Sequence, residues 1–164
     1  MVEAYLDIET TGLSAEYCAI TVVGILVVAH EQEQVFQYVE EDITEDNITR
    51  ALRGVRILYT YNGTRFDLPF IKRRLGLDIE SAYEHCDVMH ICHRHRLYGG
   101  LKVVERTLCI PRRHNEVNGY QAVRLWWQYK NYYDTGALKT LLEYNLEDIV
   151  NLRLVKQKLD RGSA

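Results

Sequence analysis

The order of strand-like and helix-like segments constrains the fold of this chain more than any other feature. Strand-like apolar patterns at 2–8, 19–29 and 34–39 follow one another through short links, so we expect an antiparallel three-strand meander. A further buried strand is expected over 55–61, and from residue 80 onward the pattern is almost entirely helical. Strands, then a β-α-β unit, then helices predict an α/β domain with a mixed central sheet covered by helices.

Helix boundaries follow from the usual start and stop residues. A helix is expected over 44–53, ended by Gly54, and another over 67–75, ended by Gly76. The later helices are expected near residues 88–98, 101–108, 119–129 and 135–159. A short strand is expected just before Asp87.

Length and composition indicate an ordinary globular protein. The 164 residues predict a single domain over 1–164, because a chain of this length can bury roughly 70% of its unfolded surface without disulfides. No apolar run approaches the roughly 18 residues of a membrane span, and the N-terminus carries no secretory pattern. We therefore expect a cytoplasmic protein with no membrane partner.

The four cysteines lack any CxxC pair, so we expect reduced thiols. Two of them, Cys86 and Cys92, share a segment with four histidines: His85, His90, His93 and His95. A zinc site is one interpretation of this segment. Structural zinc sites usually use tighter paired spacing, which favours the alternative of a helix with several polar residues.

Charge is distributed unevenly along the chain. Residues 1–49 contain 11 Asp and Glu and no Lys or Arg, whereas residues 50–164 contain 20 Lys and Arg against 12 Asp and Glu. The basic runs are Lys72-Arg73-Arg74, His93-Arg94-His95-Arg96 and Arg112-Arg113-His114. A polyanion could bind the basic part while metal ions neutralise acids in the other. Solvated helix faces are the alternative for each run.

Two acids, Asp7 and Glu9, lie two residues apart in the first predicted strand. Because side chains alternate across a strand, both carboxylates share one face, while Leu6 and Ile8 point into the core. Close carboxylates repel unless a cation lies between them. All-oxygen ligands favour Mg²⁺ or Mn²⁺ over zinc, so the pair predicts a divalent-ion site. A solvated strand end is the alternative.

Two further acids occupy positions from which they could join this pair. Asp67 follows a buried strand and a Gly-containing turn, so it would face Asp7 if the two strands are neighbours. A first-turn helix acid is the competing interpretation of Asp67. Tyr144 and Asp148 lie four residues apart on a helical stretch and therefore share a face.

Taken in order, these motifs resemble those of the DEDD superfamily of 3′→5′ exonucleases, which have the ribonuclease H-like fold. The segment Asp7-Ile8-Glu9-Thr10-Thr11-Gly12 resembles the first motif. Residues Asn62 to Phe70, which contain Asp67, are similar to the second motif as it occurs in family B polymerase proofreading domains. The segment Tyr144-Asn145-Leu146-Glu147-Asp148 resembles the third.

The residue that precedes the last aspartate divides this superfamily into two branches. One branch has His five positions earlier, where this chain has Glu143, and the other has Tyr four positions earlier, which Tyr144 matches. The resemblance therefore implies the tyrosine branch (DEDDy). Residues 101–105 and 142–145 are most similar to standalone YprB-type ribonuclease H-like domains, and the whole resemblance covers roughly residues 3–158.

The resemblance implies a 3′→5′ exonuclease that hydrolyses phosphodiester bonds of single-stranded DNA or RNA with two Mg²⁺ or Mn²⁺ ions. One ion would lower the pKa of a water and the other would stabilise the leaving 3′ oxygen. The ligands would be the four acids Asp7, Glu9, Asp67 and Asp148. Tyr144 would position the attacking water, because a phenol with a pKa near 10 is a poor base at pH 7.

The same resemblance implies that Thr10, Leu13 and Asn62 contact the terminal nucleotide, with Leu13 wedged against its base. The His-rich segment 85–95, beside Arg94 and Arg96, is a candidate wall of the substrate groove. Asp87 is expected near the site, with no metal assigned to it.

Five aromatic residues are expected to form helix core or a subunit interface, with base stacking as the alternative: Trp126, Trp127, Tyr129, Tyr132 and Tyr133. A structure-selective endonuclease and a non-catalytic nucleic-acid-binding module are the other functional interpretations. The small size is consistent with a short substrate, a protein partner or a homodimer.

Overall fold

The computed structural model describes residues 1–30 and 32–161. Within them, five strands form one sheet: β1 Val2–Thr10, β2 Ile20–Ala29, β3 Gln32–Val39, β4 Ile57–Thr60 and β5 Glu84–Asp87. Their order in the sheet is β3-β2-β1-β4-β5, in which the first three strands are antiparallel and β1, β4 and β5 are parallel. The predicted mixed sheet with its antiparallel meander is confirmed.

Seven α-helices lie in the same ranges: α1 Glu45–Ala51, α2 Asp67–Leu75, α3 Ile79–Ala82, α4 Val88–Arg94, α5 Leu101–Thr107, α6 Gly119–Tyr132 and α7 Thr135–Arg161. The helix predicted over 67–75 has those bounds, and Gly76 ends it with a left-handed φ of 77°. The one-turn α3 was not predicted, because four residues carry too little periodicity to reveal a helix. No helix in the described part of the chain is long and apolar enough to cross a membrane.

Helix α4 is shorter than the helix expected over 88–98. It ends at Arg94, because Arg96 adopts a left-handed φ of 58° and the backbone N–H of Leu97 donates to the carbonyl of Cys92 at 2.9 Å. This arrangement resembles the left-handed stop that commonly ends helices. Residues 95–100 therefore form a loop before α5 rather than more helix.

Strand β1 separates two hydrophobic layers through its alternating side chains. Leu6 and Ile8 pack with buried residues of β2, α1 and α2, as the sequence pattern predicts. Tyr5, on the opposite face, packs against buried residues of α7, including Ile149 and Val155. The face of β1 that carries Asp7 and Glu9 is thus the face that α7 covers.

Gly24 lets α7 approach the sheet closely. It lies opposite Asp7 in the pairing of β1 with β2. A Cβ atom at Gly24 would lie 2.2 Å from Oδ1 of Asn145, so any other residue here would force the Asn145 side chain or α7 to shift. On β3, Gln37 strengthens the contact by donating to the carbonyl of Leu142 at 2.8 Å and to Asn145 Oδ1 at 2.9 Å. The middle of α7 is therefore fixed beside the acids of β1.

Candidate active site

A cleft of about 250 Å³ opens at the carboxyl ends of the parallel strands β1 and β4. Its walls include the eight residues predicted as metal ligands, as the water-positioning tyrosine or as contacts of the terminal nucleotide: Asp7, Glu9, Thr10, Leu13, Asn62, Asp67, Tyr144 and Asp148. No described residue of the 85–95 segment, nor Arg96, lines this cleft. We refer to it as the acidic cleft. The fold thus brings three segments that are far apart in sequence to one place.

Three carboxylates of this cleft form a compact group. Asp7, Glu9 and Asp148 each offer one oxygen atom, and these atoms all lie within 4.8 Å of one another. Asp7 and Glu9 lie on one face of β1, as strand alternation requires, while Asp148 comes from α7. This group of hard oxygen donors fits a cation such as Mg²⁺ or Mn²⁺.

Asp67 lies beside this group without belonging to it. It is the first residue of α2, and its Oδ1 accepts a hydrogen bond from the backbone N–H of Ile8 at 3.1 Å. The condition set by the sequence analysis is met, since β1 and β4 are neighbours in the sheet. The backbone of Ile8, which lies between Asp7 and Glu9, therefore holds Asp67 against β1.

Asp87 organises the loop that precedes Asp67. Its carboxylate accepts from the backbone N–H groups of Asn62 at 2.8 Å and Thr64 at 3.1 Å, and it also caps α4 through Met89. Asn62 itself has a left-handed φ of 61°. The sequence placed Asp87 near the site without giving it a task, and the structure shows that it holds the 62–64 turn in shape.

Helix α7 contributes more than the predicted Tyr144 and Asp148. The side-chain amide of Asn145 donates to Asp7 Oδ2 at 3.0 Å and to the Asp7 carbonyl at 3.3 Å. Asn145 is fully buried and had no predicted role. Asn145 lies between Tyr144 and Asp148 in the sequence, which indicated that it is near the site. Helical periodicity, however, places adjacent residues on different faces, so it did not predict a contact with Asp7.

A buried arginine, absent from the sequence-based site, lies behind Asp148. The Arg112 guanidinium, only 2% exposed, binds both oxygens of buried Glu105 at 2.6 and 2.7 Å and also donates to Asp148. Its Nη1 lies 3.9 Å from Glu147 and has no hydrogen bond to any described residue. Sequence reasoning missed it because Arg112 belongs to a basic run that resembles solvated surface.

Burial and mutual repulsion shift the acids of the cleft toward their protonated forms. Burial, then the neighbouring carboxylates, raises the pKa values of Asp7 and Glu9 well above their ordinary range. Burial raises the pKa of Asp67 to about 7, against the hydrogen bond from Ile8. Burial raises that of Asp148 to about 6, with Arg112 opposing the shift. A cation bound among these acids would relieve this strain.

Tyr144 lies between the acids and two cations. Burial, then the charge of Asp148, raises the pKa of its phenol far above the ordinary value, so the hydroxyl keeps its proton at neutral pH. The Lys102 ammonium lies 4.9 Å from the centre of the Tyr144 ring and donates to the carbonyls of His114 and Val117. The phenol therefore keeps a proton that it could donate in a hydrogen bond, on a helix that is fixed against the sheet.

The cysteine- and histidine-containing segment does not form a zinc site. Cys92 is buried in the apolar layer beside α7, and the His85 ring is hydrogen-bonded to Thr60 Oγ1 at 2.9 Å. Within the described ranges, no histidine or cysteine belongs to a group of three metal-binding side chains. These residues serve packing and loop structure instead.

The aromatic residues of α6 divide into core and surface. Trp126 is buried, which confirms the core interpretation for this residue, and Tyr129 packs partly buried against the same apolar cluster. The Tyr129 hydroxyl donates to Glu40 at 3.0 Å. Trp127, Tyr132 and Tyr133 are exposed, so they are not part of the core.

Comparisons with known proteins agree with this architecture. A family model described as the RNase_H superfamily (RNase_H_2) matches residues 4–160. The family B DNA polymerase from the hyperthermophilic archaeon Pyrobaculum calidifontis matches with a TM-score of 0.73 and 16% identity, over 97% of this chain and 24% of the polymerase. This chain thus spans about a quarter of that protein.

Two smaller proteins match over most of both chains. NrnC of Brucella melitensis has a TM-score of 0.61 and 19% identity, over 97% of this chain and 72% of its own. A structure described as the apo form of the nuclease has a TM-score of 0.64 and 18% identity, over 96% and 70%. At these sequence identities, the structural similarity shows that the fold is shared and nothing further. No curated protein matches the chain.

Proposed function

The chain belongs to the ribonuclease H superfamily, and from this premise we propose that it is a metal-dependent 3′→5′ exonuclease acting on single-stranded DNA or RNA. The observation that supports the proposal best is the compact group of Asp7, Glu9 and Asp148, whose ligand oxygens lie within 4.8 Å of one another in the acidic cleft. Asp67 lines the same cleft, so four acids converge there.

The proposal assigns the four acids as ligands of two Mg²⁺ or Mn²⁺ ions. Bound ions of this kind supply Lewis-acid stabilisation and an activated water for phosphodiester hydrolysis. Asn145 orients Asp7 through its hydrogen bond, and Arg112 orients Asp148. These second contacts matter because the partners of ligating groups fix their geometry.

Tyr144 places the chain in the tyrosine branch under this proposal, close to the YprB-type domains. Its protonated hydroxyl would donate a hydrogen bond to the attacking water or to a phosphate oxygen, and thereby orient the reactants. Asp148, one helical turn further along α7, lines the same cleft. The family model covers residues 4–160 without a break in its range, which supports a single domain over 1–164.

The part of the acidic cleft that Thr10, Leu13 and Asn62 line would hold the 3′-terminal nucleotide. Leu13 is 88% exposed although it lines the cleft, so its side chain is free to contact a base. The hydroxyl of Thr10 donates to the carbonyl of Gly12 at 2.7 Å and shapes this turn. Asn62 faces the same space from the loop that Asp87 holds.

The test is hydrolysis of 5′-labelled single-stranded DNA and RNA with Mg²⁺ or Mn²⁺, next to the same strands in circular form. We expect a ladder of products shortened from the 3′ end, intact circles, and no activity with EDTA. Asp7→Ala and Asp148→Ala should abolish cleavage, whereas exposed Asp46→Ala is the matched control. Activity that persists in both cleft variants contradicts the site assignment. Cut circles favour an endonuclease, and binding without cleavage favours a non-catalytic module.

A further inference from the structure

The acidic cleft continues into a second cleft, also of about 250 Å³. Five residues line both clefts: Asp7, Tyr61, Gly119, Tyr144 and Asp148. Beyond these residues, the second cleft is lined by Gly100 to Lys102 at the start of α5 and by Asn118, which caps α6. The two clefts therefore form one groove past Asp7 and Asp148, in which Leu13 and Phe66 line only the first cleft and Gly100 to Lys102 line only the second.

Two exposed tyrosines stand next to the segments that line this second cleft. Tyr98 is 64% exposed and lies two residues before Gly100, and Tyr120 is 70% exposed and directly follows Gly119. Large exposed aromatic rings beside a groove are a means by which proteins stack on unpaired bases. Paired bases offer no free face within a duplex, so such rings select single strands.

Both tyrosines project from backbone that is fixed to its surroundings. The Tyr61 hydroxyl donates to the carbonyl of Gly99 at 2.6 Å, which ties the 95–100 loop to the end of β4. The Tyr98 ring also lies 5.3 Å from the His93 ring. Tyr120 is the second residue of α6, where Asn118 forms a capping box with Gln121 and its Oδ1 also accepts from the Tyr120 N–H at 2.9 Å. Preordered rings lose little entropy on binding.

Positive charge accompanies the loop that carries Tyr98. Arg94 and Arg96 are exposed, and neither forms an ion pair with any residue in 1–30 or 32–161. Arg96 is held in its left-handed conformation at the end of α4. Lys102 adds a third cation within the wall of the second cleft. Unpaired cations beside exposed rings complement a strand that alternates phosphates with bases.

We infer that the second cleft binds the nucleotides upstream of the scissile phosphate of a single strand, with Tyr98 and Tyr120 stacking on bases and Arg94 and Arg96 contacting phosphates. This inference rests on the proposed function, since it takes the acidic cleft as the place of the 3′ end. It assigns a subsite that makes strands of several nucleotides bind more tightly than dinucleotides.

The experiment measures the affinity of 5′-fluorescein-labelled oligo(dT) and oligo(rU) of 2, 4, 8 and 12 nucleotides by fluorescence anisotropy, with Ca²⁺ replacing Mg²⁺. Affinity should rise from 2 to 8 nucleotides in the wild type. Tyr98→Ala and Tyr120→Ala should each lower the affinity for the 8-mer about tenfold, in keeping with the cost of losing one stacked base. Arg96→Ala should reduce the slope of log affinity against log salt by about 0.7 for its one phosphate.

The matched control is Tyr132→Ala, which removes an exposed tyrosine (79% exposed) from the other end of α6 and should leave the affinity unchanged. Affinity that does not depend on length, or equal losses in the control and the two groove variants, overturns the inference. If short strands are cut with Mg²⁺ but affinity does not depend on strand length, the inference about the second cleft is wrong and the proposed function stands. If the 8-mer binds through Tyr98 and Tyr120 and is never cut with Mg²⁺ or Mn²⁺, the groove stands and the nuclease proposal fails.

Discussion

The two walls of the acidic cleft differ in how their acids are balanced. We call Asp7 and Glu9 of β1, together with Asp67 at the start of α2, the sheet wall. These three acids form no ion pair with any described residue, and burial raises the pKa of each. On the helix wall, Asp148 pairs with Arg112, which Glu105 holds in turn. The sheet wall therefore lacks a cation, whereas the helix wall has one of its own. Under the proposed function, a bound metal ion would neutralise the acids of the sheet wall, and Asp148 of α7 would be a ligand that is already in position.

The difference follows from how each wall is built. The acids of the sheet wall accept from neutral donors: Asp7 from the Asn145 amide of α7, and Asp67 from the backbone N–H of Ile8 in β1. The helix wall recruits Arg112 from the segment between α5 and α6, where Glu147 also accepts from the backbone N–H groups of Arg113 and His114. The acids of the sheet wall thus have no cationic partner, whereas Asp148 on the helix wall is already paired with Arg112.

The largest effect that tests this comparison is the pH dependence of the metal-free protein. The folded pKa of Asp67, about 7, exceeds its unfolded value of 3.8, so the folded state binds more protons between these limits. The free energy of unfolding should therefore fall as pH rises from about 4 to about 7, by on the order of 4 kcal/mol for Asp67 alone. Urea denaturation in EDTA at pH 4, 5, 6, 7 and 8 measures it.

Two comparisons locate this effect on the sheet wall. Asp67→Asn should flatten the pH profile more than Asp148→Asn, because the pKa of Asp148 rises only to about 6. Added Mn²⁺ should restore stability most at high pH, where the carboxylates are free of protons. A metal-free protein whose stability is constant or increases over this range contradicts the electrostatic account of the cleft.

Removing the resident cation should come next in size. Arg112→Gln leaves buried Glu105 and Asp148 without their partner, and breaking such a buried pair costs about 3–5 kcal/mol. The free energy of unfolding at pH 7 should fall by that amount, as measured by urea denaturation. Exposed Arg113→Gln, one residue away, is the control and should change little. If Arg112→Gln lowers the free energy of unfolding no more than Arg113→Gln does, the Arg112 ion pairs do not stabilise the helix wall.

The third effect is on metal affinity. Asp7→Asn removes a charge from the uncompensated wall, and we expect Mn²⁺ affinity to fall at least about a hundredfold, beyond the usual cost of losing an outer partner. Glu105→Gln changes a buried acid that is bound to Arg112 and lies outside the group of Asp7, Glu9 and Asp148, so the loss should be smaller. Isothermal titration calorimetry gives both values. Equal losses would remove the distinction between the two walls.

Most of the sheet wall could be predicted from the sequence. Period-two alternation placed Asp7 and Glu9 on one face, and the bounds of α2 followed from its Gly stop. These features depend on residues close together in the chain, where spacing determines geometry. The position of Asp67 beside Asp7 depended on the pairing of β1 with β4, which the sequence left as a condition and the structure meets.

The helix wall could not be predicted to the same extent, because its key contacts depend on tertiary packing. Arg112 lies 7 residues from Glu105 and 36 from Asp148, and only the packing of α5 against α7 brings the three together. The same holds for Asn145, whose role needs the close approach that Gly24 permits. The early end of α4 also escaped prediction, since a left-handed arginine at 96 has no signature in the sequence.

The smallest effect concerns the group between the two walls. Tyr144→Phe removes one hydroxyl and keeps the ring that packs beneath Lys102 and Arg112. Because this hydroxyl keeps its proton at neutral pH, its proposed task is to orient water by one hydrogen bond, which is worth about 1 kcal/mol. We expect kcat to fall roughly five- to tenfold while Mn²⁺ affinity stays within twofold, since the four acids are intact. Tyr129→Phe, which removes a hydroxyl bound to Glu40 outside the cleft, is the control. If Tyr144→Phe changed metal affinity as much as kcat, the tyrosine would belong to the metal-binding walls rather than to the water between them.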